Sequence, residues 1–374
     1  MSKVILPPST IGIIGGGQLG RMMALSAKAM GYKIASLDPT TNSPLGQIAD
    51  YEIIARYDDL EAIKKLADVS DVITYEFENI SYESLNWLEK NTNLPQKSAL
   101  LKFTQNRITE KKKLIDLKVN VAPFQEVNNI SELEDALESI GFPSVLKTCT
   151  GGYDGKGQVV LKFDENLSQA KQLLESGQCV LEKWIDFRLE ISVIVVRNSN
   201  WETRIFPVAE NNHRDNILHT SIVPARISSE IKQQAKAMAL QIAEGLDLVG
   251  TLAIEMFVAN NGEIYVNELA PRPHNSGHYT MDGCLTSQFE QHIRAICNLP
   301  LGHTDIIKPV VMVNILGEHL QLVLDNIDIL RHGKLHLYGK ADPKHKRKMG
   351  HINFPTNNIE EALTYINSLK IWNN

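Results

Sequence analysis

Several features are scarce or missing in this sequence of 374 residues, and each absence excludes a class of protein. The four cysteines, Cys149, Cys179, Cys284 and Cys297, form no CxxC pair, which argues against a zinc module or a disulfide framework. The same scarcity favours a reducing, cytoplasmic compartment. No apolar run reaches the roughly 18 residues of a membrane span, and the N-terminus lacks the apolar core of a signal peptide. We therefore expect neither membrane insertion nor export.

Basic residues are fewer than acidic ones. The 38 lysines and arginines against 44 aspartates and glutamates give a formal net charge of −6, so bulk electrostatics would not hold a nucleic acid. Any phosphate must instead be bound by a local cluster of donors. Hydrophobic residues make up 43% and charged residues 22% of the chain, as in globular proteins, and the length predicts about two to four domains.

The N-terminal quarter of the chain alternates between strand and helix patterns. A buried strand at 10–17 runs into a glycine turn, and a helix and a second strand ending at Asp38 follow. A helix at about 58–67, a third strand at 71–78 and a helix at about 81–90 continue the pattern. This order predicts a domain built on a doubly wound parallel sheet.

The turn after the first strand carries a candidate phosphate-binding motif. Gly15, Gly17 and Gly20 satisfy the GxGxxG pattern, and Asp38 lies near the position of a ribose-binding acid, so NAD binding is one interpretation. The alternative is a turn that brings a helix N-terminus close to some other phosphate. Glu76, at the end of the third strand, lies where ligands of parallel sheets bind, although a polar strand end is an equal interpretation.

A glycine-rich loop lies between two strands near the middle of the chain. Residues 122–183 read as strand, helix, strand, loop, strand, helix and strand, with Lys147 before the loop and Lys156 within it. No Walker A sequence aligns here. The loop can still cover a triphosphate, because glycine N–H groups approach the oxygens and lysines offset their charge. A flexible hairpin tip is the alternative. The loop glycines are Gly151, Gly152, Gly155 and Gly157.

Two later strands predict a hairpin that carries two carboxylates. Asn261–Gly262 is typical of a two-residue type I′ turn, which would pair Asn260 with Glu263. Counting outward along both strands sets Glu255 opposite Glu268. Like charges at this spacing destabilise the pair, so we expect a hard cation such as Mg2+ between them. The alternative is a solvated strand pair with a charge clash.

The remaining segments give coarser predictions. Residues 104–118 read as one charged helix whose lysine run is a solvated face. His213 lies in a polar segment between two strands, where structural and catalytic roles are equally expected. Four short strands are predicted between about 309 and 354, and a last helix at about 358–371. The Pro- and Gly-rich loop after the hairpin is crowded with polar groups, which favours a functional loop.

This order of parts resembles that of the ATP-grasp enzymes, and most closely those that carboxylate 5-aminoimidazole ribonucleotide in purine biosynthesis. The resemblance covers essentially the whole chain. It rests on IGIIGGGQLGRM (11–22), TYEFENI (74–80), TGGYDGKGQ (150–158), NELAPRPHNSGHYT (267–280) and GKADPKHKRKMGH (339–351). The third and fourth of these motifs are the specific ones.

The resemblance implies an α/β and α+β fold of three domains. An N-terminal doubly wound domain would occupy residues 1–100, and a small β-rich domain residues 306–374. Between them an ATP-grasp domain at 101–305 would have two lobes, at 101–185 with the glycine loop and at 186–305 with the hairpin.

Carried over residue by residue, the resemblance implies three sets of site residues. One or two Mg2+ ions would bind Glu255 and Glu268, in agreement with the hairpin pattern. The implied ATP-binding residues are Arg107, Lys147, Gly152, Tyr153, Asp154, Gly155, Lys156, Gly157, Gln158, Glu182, Lys183, Trp184, Ile185, Glu190, His213, Asn267 and Glu268. The implied substrate-binding residues are Gln18, Leu19, Glu76, Tyr153, Arg272, His274, Asn275, Ser276, Lys340 and Arg347.

The implied reaction transfers the γ-phosphoryl group of ATP to bicarbonate and then the carboxyl group to the exocyclic amine of the ribonucleotide. Arg272, His274 and Lys340 would hold the bicarbonate-derived anion, and Asp154 or His274 would receive a proton. The GxGxxG turn would hold the ribose phosphate, which removes the NAD interpretation. The resemblance also implies a homodimer.

Two other functions remain open at this point. A formate-dependent glycinamide ribonucleotide transformylase shares the ATP-grasp fold, and only its substrate and a serine-rich glycine loop separate it. A non-catalytic nucleotide-binding module is the other, although Lys147, Glu255, Asn267 and Glu268 are all present.

Overall fold

Three β-sheets organise the chain in this computed structural model, which describes residues 3–152, 155–163 and 167–372. The first sheet is parallel, the second is a small antiparallel sheet, and the third is a large sheet of nine strands. Within the described ranges no helix has the length and hydropathy that a membrane span requires.

The N-terminal sheet is doubly wound, as the sequence predicts. All of its strand pairs are parallel, and helices cover both faces, so strands buried on both sides read as continuous apolar runs. One strand, at Tyr51–Ile54, was not predicted, because three of its four side chains are exposed. The elements are β1 (Thr10–Ile14), α1 (Gln18–Ala29), β2 (Lys33–Asp38), β3 (Tyr51–Ile54), α2 (Leu60–Val69), β4 (Val72–Tyr75) and α3 (Tyr82–Asn91), in the sheet order β3-β2-β1-β4.

The helix predicted at 104–118 is present but shorter, and a second helix that was not predicted ends where the predicted range begins. Helix α4 (Lys97–Thr104) ends before Asn106, and α5 (Arg107–Asp116) begins after it. Asn106 has an extended backbone, and its side chain accepts the N–H groups of Ile108 and Thr109. This N-cap places Arg107 in the first turn of α5.

The small antiparallel sheet follows the predicted order of elements. Strands and helices alternate with the glycine-rich loop between β6 and β7. The elements are β5 (Phe124–Val127), α6 (Ile130–Ile140), β6 (Ser144–Thr148), β7 (Gln158–Leu161), α7 (Leu167–Glu175) and β8 (Cys179–Lys183), in the sheet order β5-β8-β6-β7.

The large sheet combines the hairpin region with the C-terminal region. Its first elements are β9 (Phe187–Arg197), β10 (Thr203–Ile205), β11 (Ala209–Arg214), β12 (Ile217–Val223), α8 (Ser229–Gly245), β13 (Gly250–Ala259), β14 (Ile264–Ala270), α9 (Thr280–Gly283) and α10 (Gln288–Ile296). Its C-terminal elements are β15 (Val310–Leu316), α11 (Gly317–Asp325), β16 (Lys334–Leu337), β17 (Lys348–Pro355) and α12 (Ile359–Ser368). The strand order is β14-β13-β9-β11-β12-β15-β17-β16, with β10 beside β9.

The prediction of four short strands between about 309 and 354 is wrong in number. The described residues of this region form three strands, and helix α11 (Gly317–Asp325) lies between the first and the second. Strand β15 pairs with β12, so the C-terminal strands continue the sheet of the hairpin region. This continuity fixes the segment before β17 relative to the hairpin.

The hairpin turn differs from the predicted two-residue turn. The N–H of Ala259 donates to the carbonyl of Glu263 (2.9 Å), so the loop holds three residues, Asn260, Asn261 and Gly262. Gly262 has φ of +88°, the left-handed conformation that closes such a loop. A bulge later in the hairpin shifts the register back by one residue, so that Glu255 still pairs with Glu268.

Candidate active site

Two cavities meet at one group of polar and charged side chains. The interlobe cavity, of about 270 Å³, lies between the small sheet and the large sheet and includes Lys147 and Glu182. The N-terminal cavity, of about 400 Å³, opens where the parallel strands end and includes Glu76. The residues that line both cavities are Arg107, Glu268, His274, Asn275 and Lys348. A ligand in either cavity can therefore contact side chains that also line the second cavity.

The hairpin of β13 and β14 brings two carboxylates to this junction. Glu255 lies opposite Glu268 on β14 and beside Ser192 on β9. The bulge falls at Asn267, so the consecutive residues Asn267 and Glu268 both line the interlobe cavity. In a regular strand they would point to opposite faces. The bulge thus sets an amide and a carboxylate side by side, facing Glu255.

The two carboxylates have different electrostatic surroundings. Burial and the charge of Glu268 raise the pKa of Glu255 to about 7. Burial also acts to raise the pKa of Glu268, but Arg107 outweighs it, so that pKa is lowered. The Arg107 Nη1 atom lies 3.1 Å from Glu268 Oε2. His213 and Lys348 act to lower the pKa of Glu255, but they do not outweigh burial and Glu268. The neutral His274 also lies close, with 3.7 Å between its Nε2 atom and Glu255 Oε1.

A buried lysine pair shares one carboxylate in the interlobe region. Lys147 Nζ lies 3.1 Å from Glu182 Oε2, and Lys111 Nζ lies 3.2 Å from Glu182 Oε1. Lys147 also donates to Asn267 Oδ1 (3.3 Å) and so links the two lobes. The prediction of a solvated lysine face on α5 is wrong for Lys111, whose side chain is 1% exposed, and correct for Lys112, at 60%.

Most of the predicted ATP-binding residues lie around the interlobe cavity, while Gly152 lines the N-terminal cavity instead. Gly157, with φ of +71°, packs against Thr148, where a Cβ atom would lie 2.6 Å from the hydroxyl oxygen. Tyr153 and Asp154 lie outside the described residues. Those that line the interlobe cavity are Arg107, Lys147, Gly155, Lys156, Gln158, Glu182, Lys183, Trp184, Ile185, Glu190, His213, Asn267 and Glu268.

Two phenylalanines that were not predicted, Phe187 and Phe257, line the interlobe cavity together with the predicted Trp184. The rings of Phe187 and Phe257 stack with centroids 4.5 Å apart, and Trp184 lies beside Phe187. Such a surface suits a planar base. Nearby, His213 Nδ1 lies 2.9 Å from Glu190 Oε2. Burial acts against a charged His213, but the bond to Glu190 outweighs it and raises the pKa of the imidazole.

The GxGxxG turn binds carboxylates of the protein itself. The N–H of Gly16 donates to Asp38 Oδ2 (2.6 Å), and the N–H of Gly20 donates to Glu76 Oε2 (2.7 Å). The N–H of Gly17 also donates to Glu76. Because these donors are engaged, the geometry does not support the predicted binding of a ribose phosphate, or of NAD, at this turn. Gln18, Leu19 and Glu76 still line the N-terminal cavity.

The loop after the hairpin presents Arg272 and His274 to the N-terminal cavity. Arg272 is held by Glu78, with 2.8 Å between Nε and Oε1. Burial, and then Arg272, lower the pKa of His274 well below its ordinary value, so its imidazole is neutral at pH 7. Ser276 is fully buried, and its hydroxyl contacts His274 Nδ1 (3.0 Å) and Ser192 Oγ (2.8 Å). The structure thus places Ser276 as a support for His274, and not in the predicted contact with substrate.

The basic segment before β17 contributes a different residue from those predicted. Lys340 donates to the carbonyl of Lys348 (2.8 Å), and Arg347 donates to the carbonyl of Asp342 (3.0 Å). Lys348 is the member that lines both cavities, whereas Lys340 and Arg347 lie outside their linings. Lys348 is the last residue of the run KHKRK and the first of β17. The sequence alone does not show where in this run the strand begins, so it could not single out Lys348.

Glu110, one turn after Arg107 on α5, was also missed. Its carboxylate accepts the N–H of Leu269 (3.3 Å), the residue after Glu268, and it lines the N-terminal cavity. Burial and the charge of Glu268 raise its pKa to about 8. A glutamate in a charged helix gives no sequence signal that distinguishes it from a solvated residue.

The fold, with a small antiparallel lobe facing a carboxylate-bearing hairpin, is that of an ATP-grasp protein. The family described as the ATP-grasp domain matches residues 112–289. The Ribonucleotide synthetase preATP-grasp domain matches residues 9–105. The Phosphoribosylaminoimidazole carboxylase C-terminal domain matches residues 310–364.

Similar proteins of known name identify the family within the ATP-grasp class. The N5-carboxyaminoimidazole ribonucleotide synthase of Bacillus subtilis is 58% identical over 95% of this chain and 93% of its own. A solved ADP complex of N5-carboxyaminoimidazole ribonucleotide synthetase is similar with a TM-score of 0.98 and 60% identity, covering 100% of this chain and 99% of that one. The Aspergillus clavatus synthase, solved with ADP and 5-aminoimidazole ribonucleotide, has a TM-score of 0.89 and 32% identity over 96% and 97%. The chain belongs to the N5-carboxyaminoimidazole ribonucleotide synthase family.

The raised pKa of Glu255 predicts that the folding stability of the metal-free protein depends on pH. The pKa is 4.5 for an ordinary glutamate and about 7 in the folded state, so folding stability falls as pH rises between these values. We expect Glu255→Gln to raise the free energy of unfolding above pH 7 by about 2–3 kcal/mol, with the gain vanishing towards pH 4.5. The measurement is thermal unfolding in EDTA from pH 5 to pH 8.

Glu263→Gln is the matched control, because Glu263 is exposed on the same hairpin and its hydrogen bond to Tyr265 lowers its pKa. The change in unfolding free energy caused by Glu263→Gln should be the same from pH 5 to pH 8. A stability gain from Glu255→Gln that is independent of pH would contradict the assigned electrostatics.

Proposed function

We propose that this chain carboxylates the exocyclic amine of 5-aminoimidazole ribonucleotide with bicarbonate and ATP, giving 5-(carboxyamino)imidazole ribonucleotide, ADP and phosphate. The observation that carries the proposal is the junction of two cavities at Arg107, Glu268, His274, Asn275 and Lys348. One cavity suits a nucleotide and the other a second substrate, so a group activated in one can be captured in the other. Relatives solved with ADP and with the ribonucleotide support binding of both kinds of ligand.

ATP is proposed to occupy the interlobe cavity. The base would lie against Phe187 and Phe257, with the ribose near Glu190. The phosphates would extend towards Lys147 and the glycine loop, where lysine charge and glycine N–H groups offset their negative charge. Phosphoryl transfer then depends on positioning and electrostatics and requires no covalent bond to the protein.

Mg2+ fits the carboxylate pair of the hairpin. Glu255 and Glu268 supply the oxygen ligands that this ion prefers, and the raised pKa of Glu255 reflects burial beside a second carboxylate. In the described residues no group of three or more His, Cys, Asp or Glu side chains could hold a metal ion by itself. Mg2+ commonly takes its remaining ligands from phosphates and water, and when bound it would offset charge on the transferring phosphoryl group. We propose that Glu255 and Glu268 hold one or two such ions.

The second half-reaction is assigned to the N-terminal cavity. Arg272, fixed by Glu78, and Lys348 would hold the anion derived from bicarbonate. The amine nitrogen attacks the carbonyl carbon of carboxyphosphate, the bond from that carbon to the phosphate oxygen breaks, and phosphate leaves. His274 lines the same cavity, and it is proposed as the acceptor of the proton that the amine loses. Asp154, outside the described residues, is the alternative acceptor.

Oligomeric state and compartment are further parts of the proposal. We infer a homodimer from the family resemblance, which light scattering at micromolar concentration would test. All four cysteines are buried free thiols, which agrees with a reducing cytoplasm.

ADP release tests the proposed reaction. With ATP, Mg2+ and bicarbonate, we expect 5-aminoimidazole ribonucleotide to stimulate ADP release strongly, because it consumes the carboxylated intermediate. ADP release that responds to glycinamide ribonucleotide and formate instead would overturn the substrate and retain the fold. No nucleotide turnover under either condition would favour a non-catalytic binding module.

Glu268→Gln tests the assignment of the metal carboxylate. We expect turnover to fall by at least roughly 100-fold, because Glu268 carries the charge that holds the cation. The melting temperature should stay within a few degrees of the parent. Glu263→Gln, on the same hairpin but exposed, should retain parental turnover. A near-parental rate in Glu268→Gln would contradict the assignment.

A further inference from the structure

Helix α5 contacts both lobes around the interlobe cavity. On one side Arg107 binds Glu268 of the large sheet, and the N–H of Arg107 donates to the carbonyl of Cys149 at the base of the glycine loop (3.0 Å). One turn further, Lys111 reaches Glu182 of the small sheet. Residues i and i+4 lie on one face of a helix, so a single face of α5 addresses both lobes.

The contact of Lys111 is buried, which makes its charge significant. The side chains of Lys111 and Glu182 are 1% and 5% exposed, and that of Lys147 is 12% exposed. Charges in such surroundings are poorly screened, so their sum determines the local potential. The two lysines and one carboxylate sum to +1. Without Lys111, Glu182 would cancel the charge of Lys147.

Lys111 lies behind Glu182, outside the linings of both cavities, whereas Lys147 lines the interlobe cavity. We propose that Lys111 is a positioning residue for the nucleotide: by sharing Glu182 with Lys147, it leaves the buried group with a net positive charge for the phosphates. The inference rests on the proposed function, because it assumes that the interlobe cavity binds a nucleotide.

The protonation equilibria agree with this arrangement. Burial acts to raise the pKa of Glu182, but Lys147 and Lys111 outweigh it and lower the value to about 2. Burial lowers the pKa of Lys147, Glu182 opposes that shift, and Lys111 and Arg107 add to it. Glu182 thus opposes the loss of the Lys147 proton, and Lys111 offsets the charge of Glu182.

The test compares ADP binding to Lys111→Met and to a matched control, by titration calorimetry with Mg2+. Methionine retains most of the volume of lysine without its charge. We expect a Kd for ADP raised by roughly 10- to 100-fold, from the loss of one poorly screened charge near the phosphates. Lys112→Met removes the same charge from an exposed neighbour that pairs with Glu126, and its Kd should stay at the parental value.

A double variant separates this electrostatic role from a merely structural one. Lys111→Met with Glu182→Gln restores the sum of +1, because Lys147 remains as the sole charge of the group. We expect ADP to bind more tightly to the double variant than to Lys111→Met. The double variant also removes the buried negative charge that Lys111→Met leaves with one cation instead of two, so it keeps the test valid if the single variant is unstable.

The outcomes distinguish this inference from the proposed function. If the parent protein binds no ADP, the proposed function fails first. If the parent binds ADP and Lys111→Met binds it equally well, only the role of Lys111 is overturned. A double variant that binds more weakly than Lys111→Met would also overturn it, because two structural losses would then simply add.

Discussion

The opposition of Glu255 and Glu268 on one hairpin is the constraint on which the rest of the site depends. Two facing carboxylates repel each other, and their burial adds a desolvation cost. Arg107 lowers the pKa of Glu268, whereas burial and the charge of Glu268 raise the pKa of Glu255. Ionising both carboxylates therefore costs folding stability in the metal-free protein, and a cation between them would offset that cost. The feature that destabilises the metal-free hairpin is thus the same one on which the proposed Mg2+ site rests.

The surrounding elements bring basic side chains to the two carboxylates of the hairpin and to the interlobe cavity. Helix α5 supplies Arg107 to one lobe and Lys111 to the other, and Lys147 joins the lobes through Asn267. The C-terminal strands extend the hairpin sheet, which places Lys348 beside the carboxylates although it is far away in sequence. Residues that line both cavities thus set the path that a short-lived intermediate of the proposed reaction would take between them.

Local patterns predicted the fold order and the carboxylate pair, but the pair was reached through two offsetting errors. Asn261–Gly262 closes a three-residue loop, and the bulge at Asn267 restores the register. Asp215 and Asn216, with φ of 48° and 63°, form the two-residue turn that Asn-Gly was expected to make. Lys111, Lys348 and the support role of Ser276 could not be predicted, because each depends on contacts between segments distant in sequence.

The most direct test of the account is the binding of Mn2+, a paramagnetic substitute for Mg2+, measured by electron paramagnetic resonance in the presence of ADP. The parent protein should bind Mn2+ tightly only as the nucleotide complex, since the protein offers two carboxylates and phosphates complete the shell. Glu255→Gln and Glu268→Gln should each weaken that binding by at least about tenfold while ADP alone still binds. Unchanged Mn2+ affinity in both variants would contradict the central claim.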